Sequence, residues 1–418
     1  MEKISINGGK PLSGEIVISG MKNAAVAILL ANIMVEDECV IENLPNISDV
    51  NRSLEILEKM GAKITHLSES SVKIDSTNVI PCSAPDELVK KMRASYYVLG
   101  AELARFGRSS VACPGGCDFG ARPIDQHIKG FETLGANVSV TDNHIVAVTT
   151  SGVKGGSVFM DVVSVGATIN VMLAAVKADG VTIIENAARE PHIVDTANFL
   201  NACGAKISGA GTDVIKITGV NKLHGVTYAI IPDMIEAGTY MVLASATRGK
   251  IKISNVIPKH LESISAKLVE MGTTIEEDDD SVTVSRNKNL SPINVKTQPY
   301  PGFPTDMNPQ MCVLMCLAEP TSRMIEGVWN NRFRYVEELK RMGADIEVND
   351  TTATINANAS KMHGANVRAI DLRAGAAMVI AGLAFKGHTE IEDIFHIQRG
   401  YENIIEKLKA VGADIEII

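Results

Sequence analysis

The sequence predicts an α/β protein of two inside-out α/β barrel domains, built from six repeats of about 70 residues with three repeats in each domain. Three observations predict this fold. A helix–glycine–strand corner recurs six times along the 418 residues. Each corner is preceded by a second helix that is apolar nearly all round. A turn and a further strand follow that apolar helix.

The corner has the pattern apolar-x-x-apolar-Gly-Ala-x-Ile, with variations. An amphipathic helix that ends at glycine uses the left-handed backbone conformation as its cap, and an alternating strand such as 344–348 follows at once. Neighbouring corners are 68 to 74 residues apart, so six units account for the chain. The corner glycines are Gly61, Gly135, Gly204, Gly272, Gly343 and Gly412.

The apolar helices lack a polar face, and a helix without one belongs in the interior of a protein. We therefore expect the strands and amphipathic helices to lie outside them. The predicted apolar helices are 21–34, 94–105, 166–176, 237–247, 307–317 and 374–385. The stretches predicted to form the strands after them are DECVIENL, RSSVACPG, GVTIIENA, GKIKISNV, SRMIEGVW and GHTEIEDI.

The repeats divide into three and three, with a seam near 219–232. The predicted domains are 21–230 and, for the C-terminal half, 1–20 plus 231–418. The leading strand 3–6 precedes the first repeat, and we expect it to pair with the second half. Because ligand sites favour domain interfaces, residues at matching ends of different repeats are expected in one cleft.

Composition excludes several classes of function. The net charge of −9 argues against broad nucleic-acid binding, which needs a basic face. The first ten residues contain no apolar signal segment, and the longest apolar runs are too short to cross a membrane. Seven cysteines without zinc-type spacing indicate a reduced, cytoplasmic protein with no metal, and no cofactor is expected.

The stretch CPGGCDFGARPIDQH, at 113–127, places the thiol of Cys117 between glycines and beside Arg122. Glycines let the backbone approach a ligand, and arginine is a fork-shaped anion binder. Pro123 can begin a helix whose first turn suits Asp125. The stretch is therefore either a reactive thiol beside an anion site or a tight surface turn.

Five polar residues are predicted at the same end of the buried helices. Each has a simpler explanation alone: a lysine can extend to solvent, and serine or aspartate can cap a helix. Asp371 opens the sixth helix and Arg399 follows the last strand. Several cations with one carboxylate and one thiol together favour a small polyanionic substrate. The five are Lys22, Arg93, Ser164, Asp306 and Arg373.

Long motifs along the whole chain resemble those of the UDP-N-acetylglucosamine enolpyruvyl transferase family. They are PGGCDFGARPIDQH, SGMKNAAVAILLA, SVGATINVMLAA, ENAAREPHIVDTANFL, GTDVIKITGV, FPTDM, NRF, DLRA and QRGYENI. The resemblance implies two inside-out domains of three repeats each. It implies transfer of the enolpyruvyl group of phosphoenolpyruvate to the 3′-hydroxyl of UDP-N-acetylglucosamine, with release of phosphate. The implied route is addition then elimination through a tetrahedral ketal, in the first committed step of peptidoglycan synthesis.

The resemblance also implies residue roles. Cys117 would protonate C3 of phosphoenolpyruvate, can form a covalent adduct with it, and is the thiol that fosfomycin alkylates in this family. Asp306 would be the base at the 3′-hydroxyl, and Lys22, Arg399 and Asp371 would be further catalytic residues. The residues implied to hold phosphoenolpyruvate are Lys22, Asn23, Arg93, Arg122, Arg373 and Arg399.

The implied sugar-nucleotide site places uridine along 123–126 and the diphosphate near Arg122 and the helix start at Ser164. The loop 114–122 is expected to act as a lid. Three residues depart from the family pattern, namely Cys113, Val162 and Met234. The implied sugar-nucleotide residues are Asn23, Arg93, Arg122, Pro123, Ile124, Asp125, Gln126, His127, Ser164, Val165, Gly166, Asp306 and Val328.

Two other functions stay open at this point. One is enolpyruvyl transfer to shikimate 3-phosphate, against which the loop thiol and the ARPIDQH stretch argue. The other is a catalytically silent UDP-sugar-binding regulator of the same fold, against which the joint presence of Cys117, Asp306, Lys22 and Arg399 argues. A nucleotide-end-processing enzyme of related architecture is disfavoured by the acidic charge.

Overall fold

The computed structural model describes residues 2–113 and 124–418, with the backbone alone at Arg93. The chain divides into two compact units. The first contains Met1–Ser19 and Pro232–Ile418, and the second contains Gly20–Ile231. The chain opens in the first unit with strands β1 (Ile4–Gly8) and β2 (Ser13–Val17).

The second unit contains helices and strands in alternation. Its elements are α1 (Lys22–Ala31), β3 (Glu38–Glu42), α2 (Ser48–Lys59), β4 (Lys63–Ser68), β5 (Ser71–Asp75), α3 (Asp86–Val89), α4 (Tyr97–Phe106), β6 (Arg108–Ala112), α5 (Asp125–Thr133), β7 (Asn137–Thr141), β8 (His144–Val148), β9 (Ser157–Phe159), α6 (Val165–Ala175), β10 (Val181–Glu185), α7 (Pro191–Ala202), β11 (Lys206–Ser208), β12 (Val214–Thr218) and β13 (Thr227–Ala229).

The first unit then resumes. Its elements are α8 (Met234–Ala246), β14 (Lys250–Ser254), α9 (Glu262–Glu270), β15 (Thr274–Glu277), β16 (Ser281–Ser285), β17 (Asn294–Lys296), α10 (Asn308–Met315), β18 (Thr321–Ile325), α11 (Val336–Arg341), β19 (Ile346–Asn349), β20 (Thr352–Asn356), β21 (Asn366–Arg368), α12 (Leu372–Ala384), β22 (Gly387–Glu392), α13 (Phe395–Gln398), α14 (Ile404–Ala410) and β23 (Asp414–Ile417).

Each repeat contributes a small sheet, which is mixed in five cases and, among the described residues, antiparallel in the sixth. In the first unit the strand orders are β21-β22-β1-β23, β15-β16-β14-β2 and β17-β18-β20-β19. In the second unit they are β13-β3-β5-β4, β11-β12-β10-β9 and, among the described residues, β6-β8-β7. In the five mixed sheets, the strand after a buried helix pairs in parallel with a short edge strand and antiparallel with a neighbouring strand, as β14 does with β2 and β16.

The leading strand takes the place of a hairpin strand in the last sheet. β1 pairs antiparallel with both β22 and β23, with Ile4 opposite Ile391 and Ile417. The expectation that the leading strand pairs with the second half is confirmed, although the strand begins at Ile4 and extends to Gly8. The chain start therefore completes the sixth repeat.

The apolar helices form the core of each unit, as predicted. In the second unit α4 packs against both α1 and α6, and in the first unit α12 packs against both α8 and α10. All thirteen residues of α8 are buried, and α6 is buried from Ala167 onward. Helices buried on every side explain why their sequences show no polar face.

The six corner glycines all adopt positive φ, between 86° and 105°. Residues that carry a side chain rarely adopt this backbone conformation. Glycine is therefore required where the amphipathic helix ends and the strand begins. The predicted corners are confirmed. They fix the spacing at which the start of each buried helix recurs.

Two helix starts lie three residues from their predicted positions. The helix predicted at 237–247 begins at Met234, because the Asp233 side chain accepts hydrogen bonds from the backbone N–H groups of Ile235 and Glu236. The helix predicted at 94–105 begins at Tyr97, because Arg93–Tyr96 forms a 3₁₀ turn.

Within the described ranges, no helix combines the length and apolar character needed to cross a bilayer.

Candidate active site

In the first unit, the candidate base Asp306 lies in a 3₁₀ turn, Thr305–Met307, that leads into α10. Pro304 stands before the turn and restricts its backbone. The Asp306 side chain is 35% exposed. Its Oδ2 accepts a hydrogen bond from Nε of Arg373 at 3.0 Å and lies 2.9 Å from Nη2 of the same guanidinium. Two of the predicted site residues are thus in direct contact.

Arg373 lies in the first turn of α12, where its side chain is only 5% exposed. The helix is capped by Asp371, whose Oδ1 accepts from the backbone N–H groups of Arg373 and Ala374. Burial alone would lower the pKa of the Arg373 guanidinium. The Asp306 carboxylate beside it has the opposite and larger effect, so that the pKa of Arg373 is above its usual value. Arg373 is therefore a permanent cation that favours the ionised form of Asp306.

A directed chain of hydrogen bonds holds Arg373 from behind. The Thr239 hydroxyl donates to the carbonyl of Ile235 at 2.7 Å, so it accepts from the Tyr401 hydroxyl, 2.9 Å away. With its proton used there, Tyr401 accepts from Nη1 of Arg373 at 3.3 Å. Gln310 also donates to Thr239, at 3.2 Å. The chain fixes the orientation of the guanidinium.

Arg399 and Val328, two other predicted residues, belong to the same unit. Arg399 is half-buried at the end of α13, two residues before Tyr401. Val328 is 37% exposed in the loop after β18. Glu326 accepts hydrogen bonds both from this loop and from the turn that carries Asp306.

In the second unit, Lys22 is the first residue of α1, and its side chain is 16% exposed. Its Nζ lies 3.5 Å from Oδ2 of Asp49, and Arg52 Nη1 lies 3.3 Å from Oδ1 of the same carboxylate. The alternative that Lys22 extends into solvent is wrong. Asn23, the next residue, is half-buried. The start of α1 therefore presents a fixed cation where helix N–H groups favour anions.

The start of α6 carries further predicted residues. Ser164 caps the helix by accepting from the backbone N–H of Ala167 at 3.3 Å, so the capping explanation is confirmed. Val165 is the first helical residue, and a Cβ at Gly166 would lie 3.3 Å from the His127 ring. Glycine at that position lets the His127 ring lie against the helix start.

Asn170 fixes the proton position on His127. The Asn170 Oδ1 accepts from the backbone N–H of Gly100 at 3.0 Å, so its Nδ2 donates to Nδ1 of His127, also at 3.0 Å. The tautomer assigned from these partners carries its proton on Nε2, the nitrogen near Gly166. This nitrogen is then a hydrogen-bond donor at the helix start.

Gln126 joins the start of α5 to the segment before α6. Its Oε1 accepts from the backbone N–H of Asp161 at 2.9 Å, and its Nε2 donates to the carboxylates of Asp125 at 2.9 Å and Asp161 at 3.2 Å. Lys129 also contacts Asp161, at 2.6 Å. Ile124 immediately precedes α5.

Three predicted residues lie outside the described residues, namely Cys117, Arg122 and Pro123. The whole of the predicted lid, 114–122, also lies outside them. The backbone of Arg93 belongs to the 3₁₀ turn before α4, and this turn contacts both α1 and α6. Within the second unit, the predicted residues on the starts of α1 and α6 are thus linked by one turn.

Sequence reasoning missed Asp49, Glu326 and Tyr401. Asp49 is buried in the first turn of α2, and an acidic residue there reads as an ordinary helix start. Tyr401 lies in the motif QRGYENI, in which only Arg399 is a predicted site residue. Glu326 follows β18 directly.

The chain resembles a known family over nearly its whole length. The family model described as EPSP synthase (3-phosphoshikimate 1-carboxyvinyltransferase) matches residues 6–408. A UDP-N-acetylglucosamine 1-carboxyvinyltransferase of Clostridium botulinum is 55% identical over 416 residues, which are 99% of each chain. A protein of Caldanaerobacter subterraneus named UDP-N-acetylglucosamine 1-carboxyvinyltransferase 3 is 54% identical over 415 residues, again 99% of each chain.

Solved structures support the fold. The enolpyruvyl transferase NikO of Streptomyces tendae matches with a TM-score of 0.91 at 25% identity, over 100% of this chain and 99% of that one. An EPSP synthase of Acinetobacter baumannii matches with a TM-score of 0.79 at 18% identity, over 100% of both chains. The predicted two-domain α/β fold is confirmed.

Proposed function

The chain belongs to the EPSP synthase family of enolpyruvyl transferases, and from that premise we propose that it transfers the enolpyruvyl group of phosphoenolpyruvate to the 3′-hydroxyl of UDP-N-acetylglucosamine. Phosphate leaves, and the product enters peptidoglycan synthesis. Relatives that are 55% and 54% identical to this chain are named as UDP-N-acetylglucosamine 1-carboxyvinyltransferases. Through the cell wall, the reaction would support cell shape and division, and we place it in the cytoplasm.

The observation that carries the proposal is the contact between Asp306 and Arg373. A carboxylate that is to take a proton from a sugar hydroxyl has to be ionised and aimed. Arg373 meets both needs, because two of its nitrogens lie at Oδ2 and fix the carboxylate, and a positive charge at that distance favours the ionised form of an acid. We assign Asp306 as the general base and Asp371 as a participant that also positions Arg373.

The reaction proceeds in two balanced steps. In the addition, the 3′-oxygen bonds to C2 of phosphoenolpyruvate while Asp306 takes the hydroxyl proton and the Cys117 thiol gives a proton to C3. In the elimination, the Cys117 thiolate takes a proton back from C3 while the bond between C2 and the phosphate oxygen breaks, which restores the double bond. The proton held by Asp306 passes to the departing phosphate. Cations fixed in advance stabilise the phosphate and carboxylate charges without reorganisation, which is usually a large contribution to catalysis.

The cations assigned to phosphoenolpyruvate include one whose environment is well defined. Lys22 is held by Asp49 at the start of α1, where the helix also favours an anion. A lysine acts as a point charge and suits a phosphate group. The remaining residues that we assign to phosphoenolpyruvate are Asn23, Arg93, Arg122, Arg373 and Arg399.

The sugar nucleotide is assigned to the starts of α5 and α6. The backbone N–H groups at the start of α6 suit the diphosphate, and the Nε2 proton of His127 points to the same region. Gln126 fixes the segment before α6 through Asp161. The other residues that we assign to this ligand are Asn23, Arg93, Arg122, Pro123, Ile124, Asp125, Ser164, Val165, Gly166, Asp306 and Val328.

The division of labour follows the two units. We propose 21–230 as the domain that carries the thiol loop, with 114–122 as its lid, and 1–20 plus 231–418 as the domain that carries the base. Fosfomycin is expected to inactivate the enzyme by alkylating Cys117. No metal or other cofactor takes part in the proposed reaction.

Replacement of the acceptor tests the proposal against its rival. The purified protein is incubated with phosphoenolpyruvate and either UDP-N-acetylglucosamine or shikimate 3-phosphate, and the products are identified by mass spectrometry. We expect a carboxyvinyl ether only with the sugar nucleotide. Product formed only from shikimate 3-phosphate would move the chain to the other reaction of its family. Binding of UDP-N-acetylglucosamine without product would favour a silent regulator.

A further inference from the structure

Glu326 is a buried carboxylate directly after β18, in the unit that carries Asp306. The residue is 3% exposed, and its backbone N–H donates to the carbonyl of Thr351 at 2.8 Å. Its two carboxylate oxygens accept four hydrogen bonds, two at each oxygen. A buried carboxylate is costly unless its oxygens are satisfied, so four donors indicate a site built around this charge.

One oxygen holds the turn that carries Asp306. Oε2 accepts from the Thr305 hydroxyl at 3.0 Å and from Nδ2 of Asn308 at 2.8 Å, so its partners flank Asp306 on both sides. The Asn308 amide cannot reverse, because its Oδ1 accepts from the Tyr335 hydroxyl at 2.5 Å. The turn is therefore anchored at a fixed orientation.

The other oxygen holds the loop that carries Val328. Oε1 accepts from the backbone N–H groups of Val328 at 2.9 Å and Trp329 at 3.1 Å. Consecutive backbone N–H groups that point at one carboxylate oxygen fix the path of the main chain. The neighbouring Gly327 N–H donates to the Thr297 hydroxyl at 2.8 Å, which anchors the start of the same loop.

We propose that Glu326 is a positioning residue that holds the Asp306 turn and the Val328 loop at a fixed separation. The inference rests on the proposed function, in which Asp306 takes the sugar proton and Val328 contacts the sugar nucleotide. Glu326 itself touches neither substrate. Its role is to hold the base and the bound sugar in the alignment that proton transfer requires.

The hydrogen-bond pattern predicts what an isosteric amide does. In Glu326→Gln, the backbone N–H groups of Val328 and Trp329 cannot reverse, so the amide oxygen stays with them. The new amide nitrogen then faces Asn308 Nδ2, and two donors meet. The loop keeps its anchor, while the Asp306 turn loses the hydrogen bond from Asn308 and keeps only the Thr305 hydroxyl, which can rotate to accept from the new amide. Glu326→Ala removes the support from both segments.

The kinetics of these variants test the inference. We expect E326Q to lower kcat by about 10- to 100-fold, with the KM for UDP-N-acetylglucosamine changed by less than about threefold, because misplacement of a reacting group acts on the chemical step. E326A is expected to lower kcat and to raise that KM as well. The matched control is Glu338→Gln, another buried carboxylate of this unit, which accepts from the Arg368 N–H at 3.0 Å and is expected to keep both constants.

Thermal unfolding and the concentration of active sites are measured for every variant, so that kcat refers to folded protein. A wild-type kcat and KM in folded E326Q would overturn the inference and leave the proposed function intact. If the unaltered protein released no phosphate, the proposed function and the inference would both fail. Should E326Q not fold, Thr305→Val removes a single donor to Oε2 and is expected to lower kcat several-fold; an unchanged kcat in T305V would equally overturn the inference.

Discussion

Arg373 directs two of its nitrogens, Nε and Nη2, to a single oxygen of Asp306, at 3.0 and 2.9 Å. The arginine is 5% exposed and the aspartate 35% exposed. A buried cation thus holds a carboxylate that faces solvent with part of its surface. This geometry keeps a base ionised while leaving it accessible to a substrate.

Arg373→Lys tests whether the fork geometry matters beyond the charge. Lysine has one nitrogen and cannot contact Asp306 twice while also reaching Tyr401. We expect kcat to fall by about 100-fold, because a preorganised contact at the reacting group is lost. The measurement is steady-state phosphate release.

The control for this variant is Arg368→Lys in the same unit. Arg368 is 60% exposed and pairs with Glu392 at 3.1 Å, so its replacement is expected to leave kcat unchanged. A kcat of R373K within about twofold of R368K would show that the charge alone suffices, contrary to the fork geometry.

Tyr401→Phe tests the hydrogen-bond chain behind Arg373. The variant leaves Nη1 of Arg373 without its acceptor, and a buried donor left unsatisfied costs about 1–3 kcal/mol. We expect kcat to fall several-fold and the unfolding temperature to drop. The control is Tyr228→Phe, whose hydroxyl donates to Asp195 at 2.6 Å in the other unit. Y228F is expected to lose stability without losing kcat, and an equal loss of kcat in both variants would contradict the chain.

Asp371 caps α12, and a pair of substitutions separates that role from chemistry. Asparagine caps helices as well as aspartate does, whereas alanine loses about 1 kcal/mol. We expect D371N to keep the wild-type unfolding temperature and to lose at least about tenfold in kcat, because it lacks the carboxylate charge. D371A should lose stability too. A wild-type kcat in D371N would reduce Asp371 to a cap.

Glu102 gives a prediction about pH and stability. Burial raises the pKa of this carboxyl from 4.5 to about 7. Between these pH values the folded state binds more protons than the unfolded state. The contribution of Glu102 to the stability of the folded state is therefore fully present below about pH 4.5 and is lost as the pH rises through about 7. Glu102→Gln keeps a partner for both the Cys82 N–H and the Ser109 hydroxyl.

The free energy of unfolding is measured by urea titration for E102Q and for the unaltered protein at about pH 5 and about pH 8. We expect the free energy of unfolding of E102Q to rise relative to that of the unaltered protein as the pH rises, by at most about 3 kcal/mol. A difference between the two proteins that did not change with pH would contradict the raised pKa.

Local patterns predicted most of the fold. Glycine at each corner and apolar character around each inner helix are properties of neighbouring residues, so six corners and six buried helices could be predicted. The start of α8 could not, because Asp233 and Glu236 interrupt the apolar run. Glu236 is buried in the helix and paired with Lys407 at 2.6 Å, a contact between residues 171 positions apart.

Fewer of the contacts in the candidate site could be predicted, because many of them join residues that are far apart in the sequence. Lys22, Asp306 and Arg373 stand at helix starts, where a local signal exists. Asp49, which holds Lys22, and the chain of Tyr401, Thr239 and Gln310 behind Arg373 come from separate parts of the sequence. Their partners are defined by packing, which no local pattern records.

The most direct test of the account measures phosphate release from phosphoenolpyruvate, with and without UDP-N-acetylglucosamine, for the unaltered protein and for Asp306→Asn. The account predicts release only with the sugar nucleotide, and a kcat lower by about 100- to 10,000-fold in D306N, as expected for loss of a general base. Release that did not need the sugar nucleotide, or a D306N variant that is folded and fully active, would contradict it.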